Sequence, residues 1–302
     1  MGRPVVAGPA GRGGMGRTGR RVAVGFITVI SAIAGCGSNG ATGTSNTDAA
    51  PYLLQARVVQ ALPPEQRFDW PPIVTITIDR ILVTGGAVPA VFPGPLLAQL
   101  RGRTITPAGF DRIVAEARRA GLLDGDVDPG AAMPGGQLAE VDLWVDGAMR
   151  TIQGDPNLVM QCVRAPCGAP PGSPESFGAF WSGIHDIGSV MPEELGPDEP
   201  YVPDAYALLV GVPPIDDAGL GFQVLQWPLD AALAELGGPI GAEPFPRCAI
   251  MRGDDADRLG PLLVSANQLT RWADGDAAPI GLRARPIEHG EDPCEELFGV
   301  GG

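Results

Sequence analysis

Few local features restrict a fold more than an Asp-Gly pair set between two runs of alternating apolar residues. Val141 to Ile152, VDLWVDGAMRTI, is such a stretch, and Asp146-Gly147 suits the two-residue turn of an antiparallel hairpin. Upstream, IVTITIDRILVT (73–84) alternates Ile76 and Ile78 with Thr75 and Thr77, with Asp79-Arg80 as a turn. That period of two is the mark of a half-buried strand. A helix signal follows each hairpin. Thr106-Pro107 supplies an N-cap and a proline at the first helical position. Phe110, Ile113, Val114 and Ala117 then fall at i, i+3, i+4 and i+7, one apolar stripe, and Gly121 is placed to end the helix. Ser173-Pro174 opens a second helix with Phe177, Phe180, Trp181 and Ile184 on one side.

Beyond the Pro-, Gly- and acid-rich segment Met191 to Pro203, the pattern continues. Tyr206–Val212, Phe222–Gln226, Cys248–Arg252 and Ile280–Pro286 read as strands. Leu229–Leu236 reads as a short helix closed by Gly237-Gly238, and Asp257–Leu269 as a helix with Pro261 near its first turn. Antiparallel hairpins alternating with covering helices predict an α+β fold. They allow two similar-sized subdomains, an N-terminal α+β unit over 52–195 and a C-terminal one over 196–302.

The N-terminus reads differently. Arg3, Arg12, Arg17, Arg20 and Arg21 precede thirteen uncharged residues, Val22 to Ala34. A membrane-spanning helix needs about 20 apolar residues, so this run has the length of a secretory h-region instead. It ends in Ile33-Ala34-Gly35-Cys36, followed by Gly37-Ser38. An aliphatic residue, two small residues and a cysteine resemble the lipobox of bacterial lipoproteins. The resemblance implies that residues 1–35 are a signal peptide, cut between Gly35 and Cys36, and that the Cys36 thiol carries a diacylglyceryl group. Residues 36–51 would then be the lipidated cysteine and a polar, flexible tether with a reach on the order of 20 Å. The expected location is the cell membrane, on its extracytoplasmic face; Gly37 after the cysteine is also compatible with an outer membrane. All 21 basic residues are arginine, beside 44 Gly and 32 Pro. In this respect the body resembles exported lipoproteins of GC-rich bacteria, a resemblance that implies no particular activity. Gly11, Gly13 and Gly16 form a formal G-x-G-x-x-G, but they precede any strand and would leave with the signal.

Without residues 1–35, sixteen arginines face 35 acidic residues and the formal charge is −19. Such a body is repelled by phosphate backbones and anionic headgroups, which argues against a nucleic-acid partner and assigns membrane contact to the lipid. Apart from Cys36 there are four cysteines, an even number that reads as two disulfides in an exported chain. Of the three pairings, Cys162 with Cys167 closes locally through Ala165-Pro166 and leaves Cys248 with Cys294. Chain entropy gives about 2 kcal/mol for the short loop and about 4 for the long one.

Signatures of chemistry are sparse. G-x-S-x-G, H-E-x-x-H, P-loop and S-x-x-K patterns are absent from the sequence. His185 and His289 are the only histidines. His185 follows Trp181 and Ile184 on the second helix and reads as a partly buried residue, with a general base beside Asp186 as the alternative. His289 sits among Glu288, Glu291 and Asp292, which read as solvated charge. Asp124, Asp126 and Asp128 imitate the start of a calcium loop, but Pro129 and Gly135 stand at its sixth and twelfth positions, where Gly and Glu are required. An Asp/Gly/Pro turn is the better reading. Asp254, Asp255 and Asp257 suit the positive end of a helix dipole better than a metal. Among Trp70, Trp144, Trp181, Trp227 and Trp272, the two followed by proline, Trp70 and Trp227, are the candidates for a surface groove that stacks sugars or holds peptide. Core or loop packing is the plainer expectation for all five. No cofactor or catalytic set emerges. The chain reads as a membrane-anchored binding or interaction module for a protein or small molecule, with an envelope hydrolase of dispersed catalytic residues as the alternative.

Overall fold

Strand β1 (Tyr52–Val59) lies inside a seven-stranded antiparallel sheet in the computed structural model, ordered β6-β5-β1-β2-β3-β4-β7. The structure describes residues 52–59, 63–87, 90, 92–123, 138–156, 169–212, 221–288 and 291–300. The expected signal peptide, Cys36 and tether, the pair Cys162 and Cys167, the Asp124–Asp128 turn and His289 all lie outside them. Residues 48–302 form one compact unit.

The two hairpins anchor this sheet. Strands β2 (Val74–Thr77) and β3 (Ile81–Gly85) turn with Arg80 at φ 60°, and β4 (Leu100–Thr104) follows beside β3. Strands β5 (Leu138–Val145) and β6 (Ala148–Gly154) turn at Asp146 and Gly147, with φ of 53° and 78°. Both central residues of that turn are left-handed, as the Asp-Gly pair requires. Strand β7 (Glu199–Tyr201) completes the edge beside β4.

Helices cover one face of the sheet. Helix α1 (Pro64–Arg67) is a single turn after β1, whereas α2 (Pro107–Arg119) and α3 (Pro174–His185) are the expected covering helices. Thr106 accepts from Gly109 N and Ser173 from Ser176 N, so both proline-initiated helices carry the side-chain cap that the sequence suggests. Gly121, at φ 68°, stands just past the end of α2. Leu54, Ile76, Val141 and Leu143 from the strands meet Ile113, Ala117, Phe177 and Ile184 from the helices, all buried. Gly154 is needed here. A Cβ on it would lie 2.1 Å from the Phe177 ring.

A six-stranded sheet follows, ordered β10-β11-β8-β13-β12-β9. Its members are β8 (Ala205–Gly211), β9 (Val224–Gln226), β10 (Gly238–Pro239), β11 (Arg247–Arg252), β12 (Arg271–Ala273) and β13 (Ile280–Ile287). All its pairings are antiparallel except β9 with β12. With helices α4 (Ile187–Val190), α5 (Gly253–Ser265) and α6 (Pro293–Phe298), this is an α+β fold, as expected. Helix α5 begins four residues before the expected start, because Asp254 and Asp255 occupy its first turn. Pro261 is therefore interior, where it removes one helical hydrogen bond. The expected helix over 229–236 reduces to one 3-10 turn, Leu233–Glu235, whose Leu233 N donates to Asp274.

One face of the second sheet packs on α5 through Tyr206, Leu208, Leu259, Leu263 and Trp272, and Leu97 from the segment after β3 joins that core. On the other face, Phe68 at the end of α1 packs with Ala207, Leu209 and Cys294. Cys248 on β11 and Cys294 on α6 form the expected disulfide, Cα to Cα 5.6 Å, and fasten the C-terminal helix to the sheet.

Candidate functional site

Alternation along β1, β2 and β5 puts their apolar residues on the helix-covered face and their polar residues on the other. On that second face the register aligns Thr75, Gln55, Asp142 and Thr151 in one row and Arg57, Glu140 and Gln153 in the next. Neighbours across strands are close enough to bond, and they do. Arg57 donates through Nε to Glu140 Oε1 (2.7 Å), through Nη1 to Gln55 Oε1 (3.1 Å) and through Nη2 to Asp142 Oδ2 (3.4 Å). Gln153 donates to Glu140 Oε2 (2.5 Å), Thr151 to Asp142 Oδ1 (2.6 Å) and Tyr52 to Asp142 Oδ2 (3.2 Å). Burial opposes the charge on Arg57, but Glu140 and Asp142 outweigh it and hold its pKa above the ordinary value. Burial, helped by the nearby Asp142 charge, raises the Tyr52 pKa.

The end of β13 and the turn after it close over this face. Arg285 donates to Glu291 Oε1 at 2.7 Å, and Glu291 Oε2 accepts from Glu288 N at 3.4 Å. Arg285, Glu288 and Glu291 are only 7%, 2% and 3% exposed, so the reading of Glu288 and Glu291 as solvated charge is overturned. The packing of β13 across the first sheet, which no local spacing reveals, takes them out of water. Burial pushes the Glu288 carboxyl up to about 8; the Glu291 charge adds to that, while Thr75 and Arg285 pull the other way. The Glu291 carboxyl is raised too, by burial against the pull of Arg285. Within this layer Gln55 Nε2 and Arg285 Nε are buried without a hydrogen-bond partner.

A cleft of about 260 Å³ opens from the layer to the surface. Arg57, Arg285, Glu140 and Glu291 line its inner part, and Arg67, Trp70 and Glu296 lie around it as well. The α1 turn presents Trp70. Phe68 is fully buried, Asp69 pairs with Arg283, and Trp70 N donates to Arg67 O at 3.0 Å. The chain then runs into Pro71-Pro72, and the indole is left 49% exposed. Trp70 thus departs from the core expectation. Trp227 meets it, being 8% exposed, edge-on to Trp272 at 6.0 Å and bonded through Nε1 to Ala231 O at 2.8 Å. Trp181 and Trp272 are buried as well, and Trp144 is half-buried.

A larger cavity, about 610 Å³, runs between α2 and α3 on the opposite face of the first sheet. Ile113, Phe180, Ile184 and Met191 line it, with Arg112, Glu116 and Arg119 among the charged residues that border it. His185 is exposed at the last turn of α3 rather than partly buried, and it makes no hydrogen bond or ion pair among the described residues. It belongs to neither cavity. No group of three or more His, Cys, Asp or Glu among the described residues is arranged to hold a metal ion, and Asp254 and Asp255 sit in the first turn of α5 as the dipole favours.

The cleft residues come from five separate segments, and only Trp70 among them is a binding candidate by sequence. Glu140 and Asp142 alternate with Ala139, Val141 and Leu143, the pattern of a strand with one core face and one solvent face, so nothing local shows that the charged face is covered. Comparison with known protein families, curated proteins and solved structures finds no match.

Proposed function

We propose that this chain is a lipid-anchored binding module on the extracytoplasmic side of a bacterial membrane, and that the cleft beside Trp70 is its ligand site. The observation that carries the binding half is the convergence of an exposed indole, three guanidinium groups and three carboxylates on one small concavity. Aromatic residues and a few placed polar groups in a concave site are the usual make-up of a ligand pocket. Location rests on the sequence: the basic flank, the short apolar run and the lipobox-like Ile33–Cys36. The Cys248–Cys294 disulfide agrees with an oxidising compartment. Among the described residues no helix is long and apolar enough to cross a membrane.

The hydrolase reading draws on one feature, the buried carboxyls of Glu288 and Glu291 with their raised pKa values. A general acid must come within hydrogen-bond reach of the leaving group. Glu288 does not line the cleft, and Glu291, which does, has both carboxyl oxygens taken by Arg285 and Glu288 N; this favours binding without turnover.

Metabolic labelling with a palmitate analogue, followed by membrane fractionation, tests the anchor. The wild type should carry label and sediment with membranes, and Cys36→Ser should lose both properties. An unlabelled wild-type chain with an intact N-terminus upstream of Cys36 would overturn the assignment.

A further inference from the structure

We infer that the cleft takes an uncharged saccharide, with the C–H face of one pyranose ring on Trp70 and its hydroxyls between the guanidinium groups of Arg67 and Arg285 and the carboxylate of Glu296. This rests on the reading of the cleft as a ligand site and adds the chemical class of the ligand.

Three observations select that class. The first is charge balance. Arg57, Arg67 and Arg285 face Glu140, Glu291 and Glu296 around the cleft, so the wall offers no excess of either sign to compensate a charged ligand for its lost hydration. The second is open hydrogen-bonding capacity of both kinds. Arg285 Nε is buried and has no partner, in a side chain more than nine-tenths buried. The Arg67 side chain makes no hydrogen bond or ion pair among the described residues, and the Glu296 carboxylate uses only Oε1, in a 3.4 Å contact with Asp292 N. Donors and an acceptor therefore remain on the same small wall. Hydroxyl groups both donate and accept, and a sugar ring carries several of them about one apolar face.

The third is the indole itself. Phe68, Asp69 and Pro71-Pro72 hold Trp70 in place from both sides, yet half of its surface is open. A fixed aromatic plane of this kind offers contact area at little cost in conformational freedom. An extended peptide fits less well. Peptide capture by strand addition needs an unpaired sheet edge, and β1, which contributes Arg57, Val58 and Val59 to the cleft, is paired on both sides by β2 and β5.

The test uses the full-length lipidated protein in a detergent without a sugar headgroup, titrated calorimetrically and by tryptophan fluorescence. The probes are maltotriose, cellotriose, chitotriose and mannotriose, with trigalacturonate and trialanine as charged and peptidic counterparts. At least one neutral trisaccharide should bind, and Trp70→Ala should weaken it ~10-fold or more while Trp70→Phe retains most of the affinity. Arg67→Gln should weaken it by a smaller factor, ~3-fold. Binding of trigalacturonate or trialanine in preference, lost in Trp70→Ala, would overturn the ligand class and leave the cleft as a binding site. Saccharide binding unchanged in Trp70→Ala would overturn the cleft itself. Absence of binding by every neutral trisaccharide at ~10 mM, where even a ligand with millimolar Kd would register, would overturn the proposal.

Discussion

The two faces of the first sheet are made by the same strands, one residue out of phase, and they are held by different physics. On the helix side Leu54, Ile76, Val141 and Leu143 meet Phe177 and Ile184 in a core without charges. On the other side Gln55, Thr75, Glu140 and Asp142 are just as buried, at 1%, 0%, 8% and 5% exposure. The first face gains roughly 1.5–3 kcal/mol for each large side chain taken out of water. The second gains little net energy, because each charge must first be desolvated before a partner can repay it. Burial alone is therefore no measure of contribution to stability. What the polar face acquires is definition: Arg57 is bonded at all three nitrogens, and the groups around the cleft are held at fixed positions.

The largest expected effect separates the faces by pH. The Glu288 carboxyl stands at about 8 in the folded chain against 4.5 when free of the fold. Between those values the unfolded chain has released a proton that the folded chain keeps. Stability therefore falls as pH rises, by about 1.4 kcal/mol per pH unit and on the order of 5 kcal/mol over the whole interval. Below 4.5 this group has no effect, and above 8 its cost is constant. Urea denaturation across this range should show Glu288→Gln becoming steadily more stable relative to wild type as pH increases. A difference independent of pH would mean that the carboxyl is solvated.

On the apolar face, Phe177→Ala should cost about 4 kcal/mol. The ring is fully buried against Gly154, which has no side chain to collapse into the space. The same denaturation series should give a cost that does not vary with pH, since the ring packs in an apolar core. A cost that followed the Glu288 titration would show that the two faces are energetically one body.

Arg57→Gln comes next, at about 2 kcal/mol, because Glu140 and Asp142 would each lose a charged partner while still largely buried. The figure is reduced because the arginine side chain is itself a third exposed. The sharper version replaces the cluster: Arg57→Met with Glu140→Leu and Asp142→Leu should recover most of that loss. If the triple variant is less stable than Arg57→Gln, the polar layer contributes net stability and the contrast between the faces fails.

The apolar face was the legible one. Asp146-Gly147, Thr106-Pro107 and Ser173-Pro174 are local signals, and the stripes of α2 and α3 need only helical spacing. Strand β1 carries no such signal. Its sequence YLLQARVV places Gln55 and Arg57 where strict alternation asks for solvent, yet it is an interior strand, paired on both sides. Strand β4, LRGRT, is short and half charged. The cleft was hidden for the same reason at longer range. Arg57 and Glu291 lie more than 200 residues apart in sequence, and tertiary packing alone makes neighbours of them. Trp70 could be suspected from its two following prolines, and its exposure could not.

The smallest expected effect on stability falls at the residue expected to matter most for binding. Trp70 is half exposed and stacks on no other ring among the described residues, so Trp70→Ala should change the unfolding free energy by no more than about 0.5 kcal/mol. Phe68, two residues earlier, is 0% exposed in the core beside Cys294, and its alanine variant should cost several kcal/mol, about 3–5. Two aromatic side chains on one turn would thus be separated by function: one holds the turn to the second sheet, and the other is held outward by it. If Trp70→Ala proves as destabilising as Phe68→Ala, the indole is part of the packing, and the distinction between a face that stabilises and a face that positions loses its clearest example.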